Sequence, residues 1–208
     1  MSQTVEVTHP CVQHKMALLR DLATGHKKFR ELATEITLFV CYEALKGLQL
    51  ESCEVQTPLT TAKCQKIAQD IVVVPILRAG VGMLDGVLDL VPTARVGFVG
   101  LYRDEVTKEP VEYYKKLPPD TEDALYLLVD PMVATGGSTA AAIDLLKADG
   151  IMNIVVACLV TCPEGLEAVH SAHPEVPVYT AAVDSHLNDH KYIVPGLGDA
   201  GDRLYGTR

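Results

Sequence analysis

Five small residues, Ala134-Thr135-Gly136-Gly137-Ser138, join an apolar run to a helix-forming run, and an acid, Asp130, stands four residues before them. A loop of small residues can aim several backbone N–H groups at one point, and the dipole of the following helix adds positive potential there. Such a point suits a phosphate. Asp130, at the end of the run Leu125–Val129, can accept hydrogen bonds from hydroxyl groups. Phosphate donors beside a hydroxyl acceptor describe a site for a sugar phosphate. Ser138 or Thr139 is placed to cap a helix that runs to Ala148, with Lys147 near its end and Gly150 beyond. Taken alone, the segment is explained equally well as a well-capped βα turn.

Three further segments carry chemistry. In Leu77-Arg78-Ala79-Gly80-Val81-Gly82, the glycines let backbone approach an anion closely and Arg78 supplies a permanent cation. Gly80-x-Gly82 opens a dinucleotide-binding pattern, but Asp85 occupies its third glycine position, and no Walker A motif is present. Arg103 follows the apolar run Val96–Leu101, within a charged stretch where Arg103, Lys108, Lys115 and Lys116 are offset by Asp104, Glu105, Glu109 and Glu112. Only placement could give Arg103 an anion to bind; a surface salt bridge is its default. Tyr192 to Arg203 is rich in glycine and contains Pro195, so it can present main-chain donors and acceptors to a flat ligand. The pairs His170/His173 and His186/His190 lack the further ligands that a metal site needs.

These segments need a rigid frame. Val12, Met16, Leu19 and Ala23 recur at helical spacing after Pro10, and Phe29, Leu32, Ala33, Ile36 and Val40 form a second stripe that stops near Gly47. Residues 48–70 read as short strands or loops around Pro58. Continuous apolar runs at Ile71–Leu77, Val96–Leu101, Leu125–Val129, Ile154–Val160 and Val178–Val183 alternate with helical segments at Val81–Leu90, Ser138–Ala148 and Pro163–His173. Such alternation predicts an α/β fold with a mainly parallel sheet covered on both faces, and ligands at the carboxyl ends of its strands. Between Leu101 and Leu125 the helix is missing; residues 102–118 read as an arm or lid with a hairpin turn at Pro110.

At 208 residues one domain is expected, able to bury roughly 70% of its unfolded surface without disulfide staples. A net charge of −9 argues against nucleic acid or an anionic membrane as partner, but leaves room for a small anion in a locally positive cleft. The six cysteines form no CxxC pair and read as thiols of a reducing compartment. With no signal-like start and no apolar run of membrane-spanning length, the expected location is cytoplasmic.

Taken in order, these motifs resemble the uracil branch of the type I phosphoribosyltransferases. Asp130 to Ser138 resembles the family's phosphoribosyl diphosphate (PRPP) motif, with Pro131 where many members carry a second acid. Pro75 to Gly80 resembles its diphosphate-binding strand end, Tyr102 to Glu105 a segment whose arginine reaches the diphosphate, and Tyr192 to Arg203 its uracil-binding loop. The likeness runs from His9-Pro10 and Phe29-Arg30-Glu31-Leu32 to Tyr205-Gly206-Thr207; Lys191 replaces a glycine common in the family, and 49–69 matches poorly.

The resemblance implies a twisted, mainly parallel sheet flanked by helices, with a β-hairpin arm and a C-terminal hood. It implies a single domain: N-terminal helices and connecting segment at 1–70, α/β core at 71–183, arm at 102–118 and uracil-binding region at 184–208. The implied reaction makes UMP and diphosphate from uracil and PRPP. PRPP would be held by Arg78, Arg103, Asp130, Pro131, Met132, Val133, Ala134, Thr135, Gly136, Gly137, Ser138 and Asp199. Uracil would be held by Ile193, Gly198, Asp199 and Ala200, and Asp130, Arg103 and Asp199 would serve catalysis. Mg²⁺ would be held mainly by PRPP rather than by protein ligands. GTP is a candidate activator, and a homodimer or larger homo-oligomer is expected. Two other readings are a PRPP-fold regulator that binds RNA with weak activity, which the acidic balance opposes, and a nicotinamide-dependent dehydrogenase built on Gly80 and Gly82, which Asp85 opposes.

Overall fold

The computed structural model describes residues 3–103, 110–121 and 123–207. The chain begins with a short strand β1 (Thr4–Glu6), helices α1 (Pro10–Arg20) and α2 (His26–Ala44), and a hairpin of β2 (Leu50–Gln56) and β3 (Thr61–Ile67). Next come β4 (Ile71–Leu77), α3 (Val81–Leu90), β5 (Arg95–Val96), β6 (Phe98–Arg103) and β7 (Pro110–Lys116). The second half holds β8 (Leu125–Val129), β9 (Met132–Val133), α4 (Gly137–Ala148), β10 (Ile154–Thr161), α5 (Pro163–Ala172) and β11 (Val178–Val183). A hood of β12 (His186–Leu187), β13 (Ile193–Val194) and α6 (Ala200–Tyr205) follows.

The apolar runs form one sheet in the order β1-β11-β10-β8-β4-β6-β7, with β5 beside β4 and β9 beside β10. Its pairings are parallel except for β6 with β7. Side chains alternate between faces, and both faces are covered. Val73, Leu127 and Val155 share one core with Phe29, Ile36 and Met83 from α2 and α3. Val74, Leu128 and Val156 share the other with Ile143 and Leu146 of α4 and Val169 of α5. A strand buried on both faces needs apolar residues at every position, hence the unbroken runs.

The local departures from the sequence expectations have physical causes. Helix α1 stops at Arg20, leaving Ala23 in a turn, because Asp21 Oδ1 accepts the Ala23 N–H at 2.8 Å and offers the chain a competing local bond. Pro110 is not at the turn of the arm: it begins β7, opposite Arg103. At the first residue of an edge strand its missing N–H removes no ladder bond. Residues 104–109, which carry Asp104, Glu105, Lys108 and Glu109, lie outside the described residues. The segment around Pro58 is a regular antiparallel hairpin, closed by the Thr57 N–H donating to Thr60 O at 3.0 Å. It packs chiefly against itself and exposes Leu50, Leu59 and Ile67. Among the described residues no helix is long and apolar enough to cross a membrane.

Helix α3 lies so close to α2 that a Cβ on Gly86 would sit 2.4 Å from Thr34 O and 2.9 Å from Thr37 Cβ. Gly86→Ala therefore forces the two helices apart and should cost about 1–3 kcal/mol. The check is urea unfolding: the midpoint should fall with an unchanged slope. An unmoved midpoint would mean that this contact can relax freely.

Candidate active site

Strand β8 lies between β4 and β10, so the segments leaving these strands converge at one edge of the sheet. The approach of the first two is backbone on backbone. Gly80 N–H donates to Ile76 O at 2.9 Å, and a Cβ on Gly80 would meet Val129 O at 2.5 Å and Ile76 N and O at 2.6 Å. Only glycine lets the loop after β4 fold down against the end of β8. The fold thereby sets Arg78, exposed at the tip of this loop, beside the strand that delivers Asp130. The Leu77–Arg78 peptide is cis. Arg103 ends β6, on the other side of β4, and so shares this edge; its side chain is outside the described residues.

Beyond Asp130 the chain rejoins β10 through β9, with Met132 opposite Val160 and Val133 opposite Thr161. Pro131 O accepts the N–H groups of Leu159 and Val160, both at 3.1 Å. Thr161 Oγ1 donates to Val133 O at 2.9 Å, and Cys162 Sγ to Ala134 O at 3.3 Å. Pro131 and Val133 are buried, so these residues anchor the loop. The start of α5 backs it. A Cβ on Gly165 would lie 2.4 Å from Val133 O, and one on Gly136 would lie 2.6 Å from Gly165 O.

The capping expected of Ser138 or Thr139 does not occur. The N-cap of α4 is Gly136, at φ 76°, with no side-chain cap. The left-handed turn leaves the helix start open: among the described residues the N–H groups of Thr135 through Thr139 donate to no protein acceptor. An uncapped start of a twelve-residue helix, with its dipole behind it, is ready for an anion.

Asp130 stands at the mouth of this loop. The Met132 N–H donates to its Oδ1 across a long 3.4 Å. The residue keeps some solvent contact, yet its carboxyl is largely desolvated, and this raises its pKa from the ordinary 3.8 to about 7, against the small lowering by the Met132 N–H. A carboxylate this poorly solvated gains by meeting hydroxyl donors or positive charge.

The hood extends from the end of β11 and returns to the loop after β4. Tyr205 hydroxyl donates to Arg78 O at 3.0 Å, and Leu204 packs against Gly82, where a Cβ would come within 2.6 Å of Leu204 Cδ1. Ile193 and Ala200 are buried, whereas Gly198 and Asp199 are exposed. Asp199 Oδ1 accepts the Asp202 N–H at 2.9 Å and caps α6. Among the described residues the N–H groups of Leu197, Gly198, Asp199 and Ala200 donate to no protein acceptor. A cleft of about 390 Å³ runs along this loop and is bounded by Arg20, Leu22 and Arg203; it does not extend to Arg78 or Asp130.

Sequence reasoning passed over Arg20 and Asp184 and gave Tyr205 no role beyond the family likeness, yet all three hold the hood in place. Asp184 had a readable signal: like Asp130, it directly follows an apolar strand at the ligand edge. The roles of Arg20 and Tyr205 had none, because their partners, Asp184 and Gly196 O for Arg20 and Arg78 O for Tyr205, are distant in sequence.

Two predictions arise from this geometry. Lys191 adopts φ 65°, the left-handed region, at the position where a glycine is common in the family it resembles. A side chain there costs about 1 kcal/mol or more, and glycine's freedom when unfolded returns part of the gain. Lys191→Gly should thus stabilise the fold by about 0.5 kcal/mol, read as a higher melting temperature; a lower one would show that the lysine makes a compensating contact. For Asp130, a raised folded pKa means that the folded state loses stability as pH climbs from about 4 to about 7. Asp130→Asn should melt higher than the parent protein, with the difference large at pH 8 and nearly gone at pH 4. A pH-independent difference would contradict the desolvated carboxyl.

Comparison with known proteins agrees with this architecture. The uracil phosphoribosyltransferase family model matches residues 6–207. The chain is 53% identical to a uracil phosphoribosyltransferase of Clostridium perfringens over 209 residues, covering all of both proteins. A solved structure of the AQ2163 protein from Aquifex aeolicus has 39% identity and a TM-score of 0.91, covering 99% of each chain. Adenine phosphoribosyltransferase from Trypanosoma brucei, at 14% identity, shares the fold with a TM-score of 0.52 over 84% of this chain and 71% of that one. The chain belongs to the uracil phosphoribosyltransferase family.

Proposed function

We propose that this pentosyl transferase makes UMP and diphosphate from uracil and PRPP at the strand edge just described, with the following division of roles. The observation that carries the assignment is the open start of α4, whose free N–H groups from Thr135 to Ser138 lie beside Asp130 and the loop of Arg78. Those N–H groups take the 5-phosphate, while Pro131 to Ala134 hold the loop. Asp130 takes the ribose hydroxyls and favours the positive charge that develops on the sugar as the C1–O bond to diphosphate breaks. Arg78 and Arg103 bind the departing diphosphate. The bond from uracil N1 to C1 forms as the leaving group departs, and the N1 proton is released; Asp199, exposed on the uracil loop, is our candidate acceptor. Gly198 to Ala200 supply main-chain groups to the base, with Ile193 behind them. Rate enhancement comes from positioning and electrostatics.

Mg²⁺ fits this donor set. Among the described residues no group of three His, Cys, Asp or Glu could cage a metal. An ion that keeps several waters and binds through substrate phosphates needs few protein ligands, and Asp130, at the mouth of the loop, would be a carboxylate within its reach. When bound, the ion neutralises charge on the diphosphate. In this division of labour residues 71–183 hold PRPP and the departing diphosphate, and 184–208 recognise the base and, through Asp199, take its proton. The exposed apolar residues of the β2–β3 hairpin support a homo-oligomer in which a second copy covers them. GTP activation rests on family resemblance, and we assign no residues to it. All six cysteines are free thiols, in keeping with a cytoplasmic enzyme.

Incubation with uracil, PRPP and Mg²⁺ should yield UMP, followed by chromatography, and cytosine should react far more slowly. Asp130→Asn should fold and yet turn over about 10²-fold more slowly. Absence of UMP from the parent protein would overturn the reaction, and near-normal turnover by the variant would remove Asp130 from it.

A further inference from the structure

The proposed uracil loop is held by two arginines, Arg20 from the end of α1 and Arg203 from α6 of the hood itself. Arg20, at the end of α1, donates through Nη1 and Nη2 to both carboxylate oxygens of Asp184, each at 2.7 Å, and through Nη1 to Gly196 O at 2.7 Å. Asp184, buried at the end of β11, accepts the Gly196 N–H at 2.8 Å. One ion pair thus grips both the N–H and the C=O of a residue in the left-handed region, at φ 60°. Arg203 donates to the next carbonyl, Leu197 O, at 2.9 Å. Its guanidinium also donates to Asp21 O at 2.6 Å and stacks 4.4 Å over the Phe29 ring. It thereby ties α6 to the turn between α1 and α2.

Peptide geometry turns these contacts into an orientation device. A trans peptide is planar, with its C=O and N–H pointing to opposite sides. The peptides linking Gly196 to Leu197 and Leu197 to Gly198 are trans. Holding Gly196 O on Arg20 therefore turns the Leu197 N–H the other way, and holding Leu197 O on Arg203 does the same for the Gly198 N–H. Neither N–H has a protein acceptor among the described residues. The charged acceptor–donor geometry is also hard to replace: a lysine ammonium cannot span two carboxylate oxygens and a carbonyl as a planar fork does.

We propose that Arg20, Asp184 and Arg203 are positioning residues for base recognition, which fix the peptide planes whose N–H groups read the acceptor base without touching it. This rests on the proposed assignment of uracil to the loop.

The test is steady-state kinetics of Arg20→Lys and Arg203→Lys, with uracil varied at saturating PRPP and the reverse. We expect the KM for uracil to rise about tenfold or more while the KM for PRPP stays within about twofold, with a reduced preference for uracil over cytosine in kcat/KM. Lysine keeps the charge, so the variants should remain folded, which circular dichroism and melting temperature check. An unchanged KM for uracil in a folded variant would overturn the proposal. Parallel losses in uracil KM, PRPP KM and stability would do so too, since they report general loosening. UMP formation by the parent protein in the same assay separates a failed clamp from a failed assignment of the reaction.

Discussion

Everything at the ligand edge depends on how closely three stretches of main chain approach one another. Gly80 lies against Ile76 and Val129, Gly136 against Gly165, and Gly165 against Val133 and Ala134, each closer than a side chain permits. These contacts lock the loops after β4 and β8, and the start of α5, into one block. A block of packed backbone has no rotamers to average over. The relative placement of Arg78, Asp130 and the α4 start is therefore a property of the sheet and not of flexible side chains.

Within that block the chain solves an electrostatic problem. The protein carries a net charge of −9, yet its proposed ligand carries phosphates. The local balance is set by main-chain dipoles at α4, which need no net charge, and by Arg78 at the loop tip. Asp130 is the counterweight. In the unliganded site it is poorly solvated and holds its proton to about pH 7. Hydroxyl donors and developing positive charge both favour its ionised form. The strain of burying the carboxyl is thus greatest before substrate arrives.

How legible this was in the sequence followed from how local the cause was. The bounds of β4 and β8 matched the expected Ile71–Leu77 and Leu125–Val129, because a strand buried on both faces demands an unbroken apolar run. The loop from Ala134 to Ser138 was legible from its composition, but its open helix start was misread as capped by Ser138 or Thr139. A capping side chain would have occupied the donors that an anion requires. The β2–β3 hairpin was obscure because both of its faces are largely exposed, so its sequence carries no clean alternation. Tertiary bonds from Arg20 to Asp184 and from Tyr205 to Arg78 connect distant parts of the chain, and no window of sequence contains both partners.

The two halves of the site also hold their backbones by different means. At the phosphate loop the donors belong to a helix, and the hydrogen bonds of α4 together with glycine packing keep them aimed. At the hood the donors lie in a loop with alternating left-handed glycines, Gly196 and Gly198, whose torsions are among the freest available. Such a loop cannot aim its own N–H groups. External bonds must supply the stiffness, and those present come from guanidinium groups that each grip a carbonyl on the loop. If the loop reads a base through main chain, as proposed, the determinants of specificity shift onto the residues that hold it, and base recognition is tied to α1 and to the turn before α2.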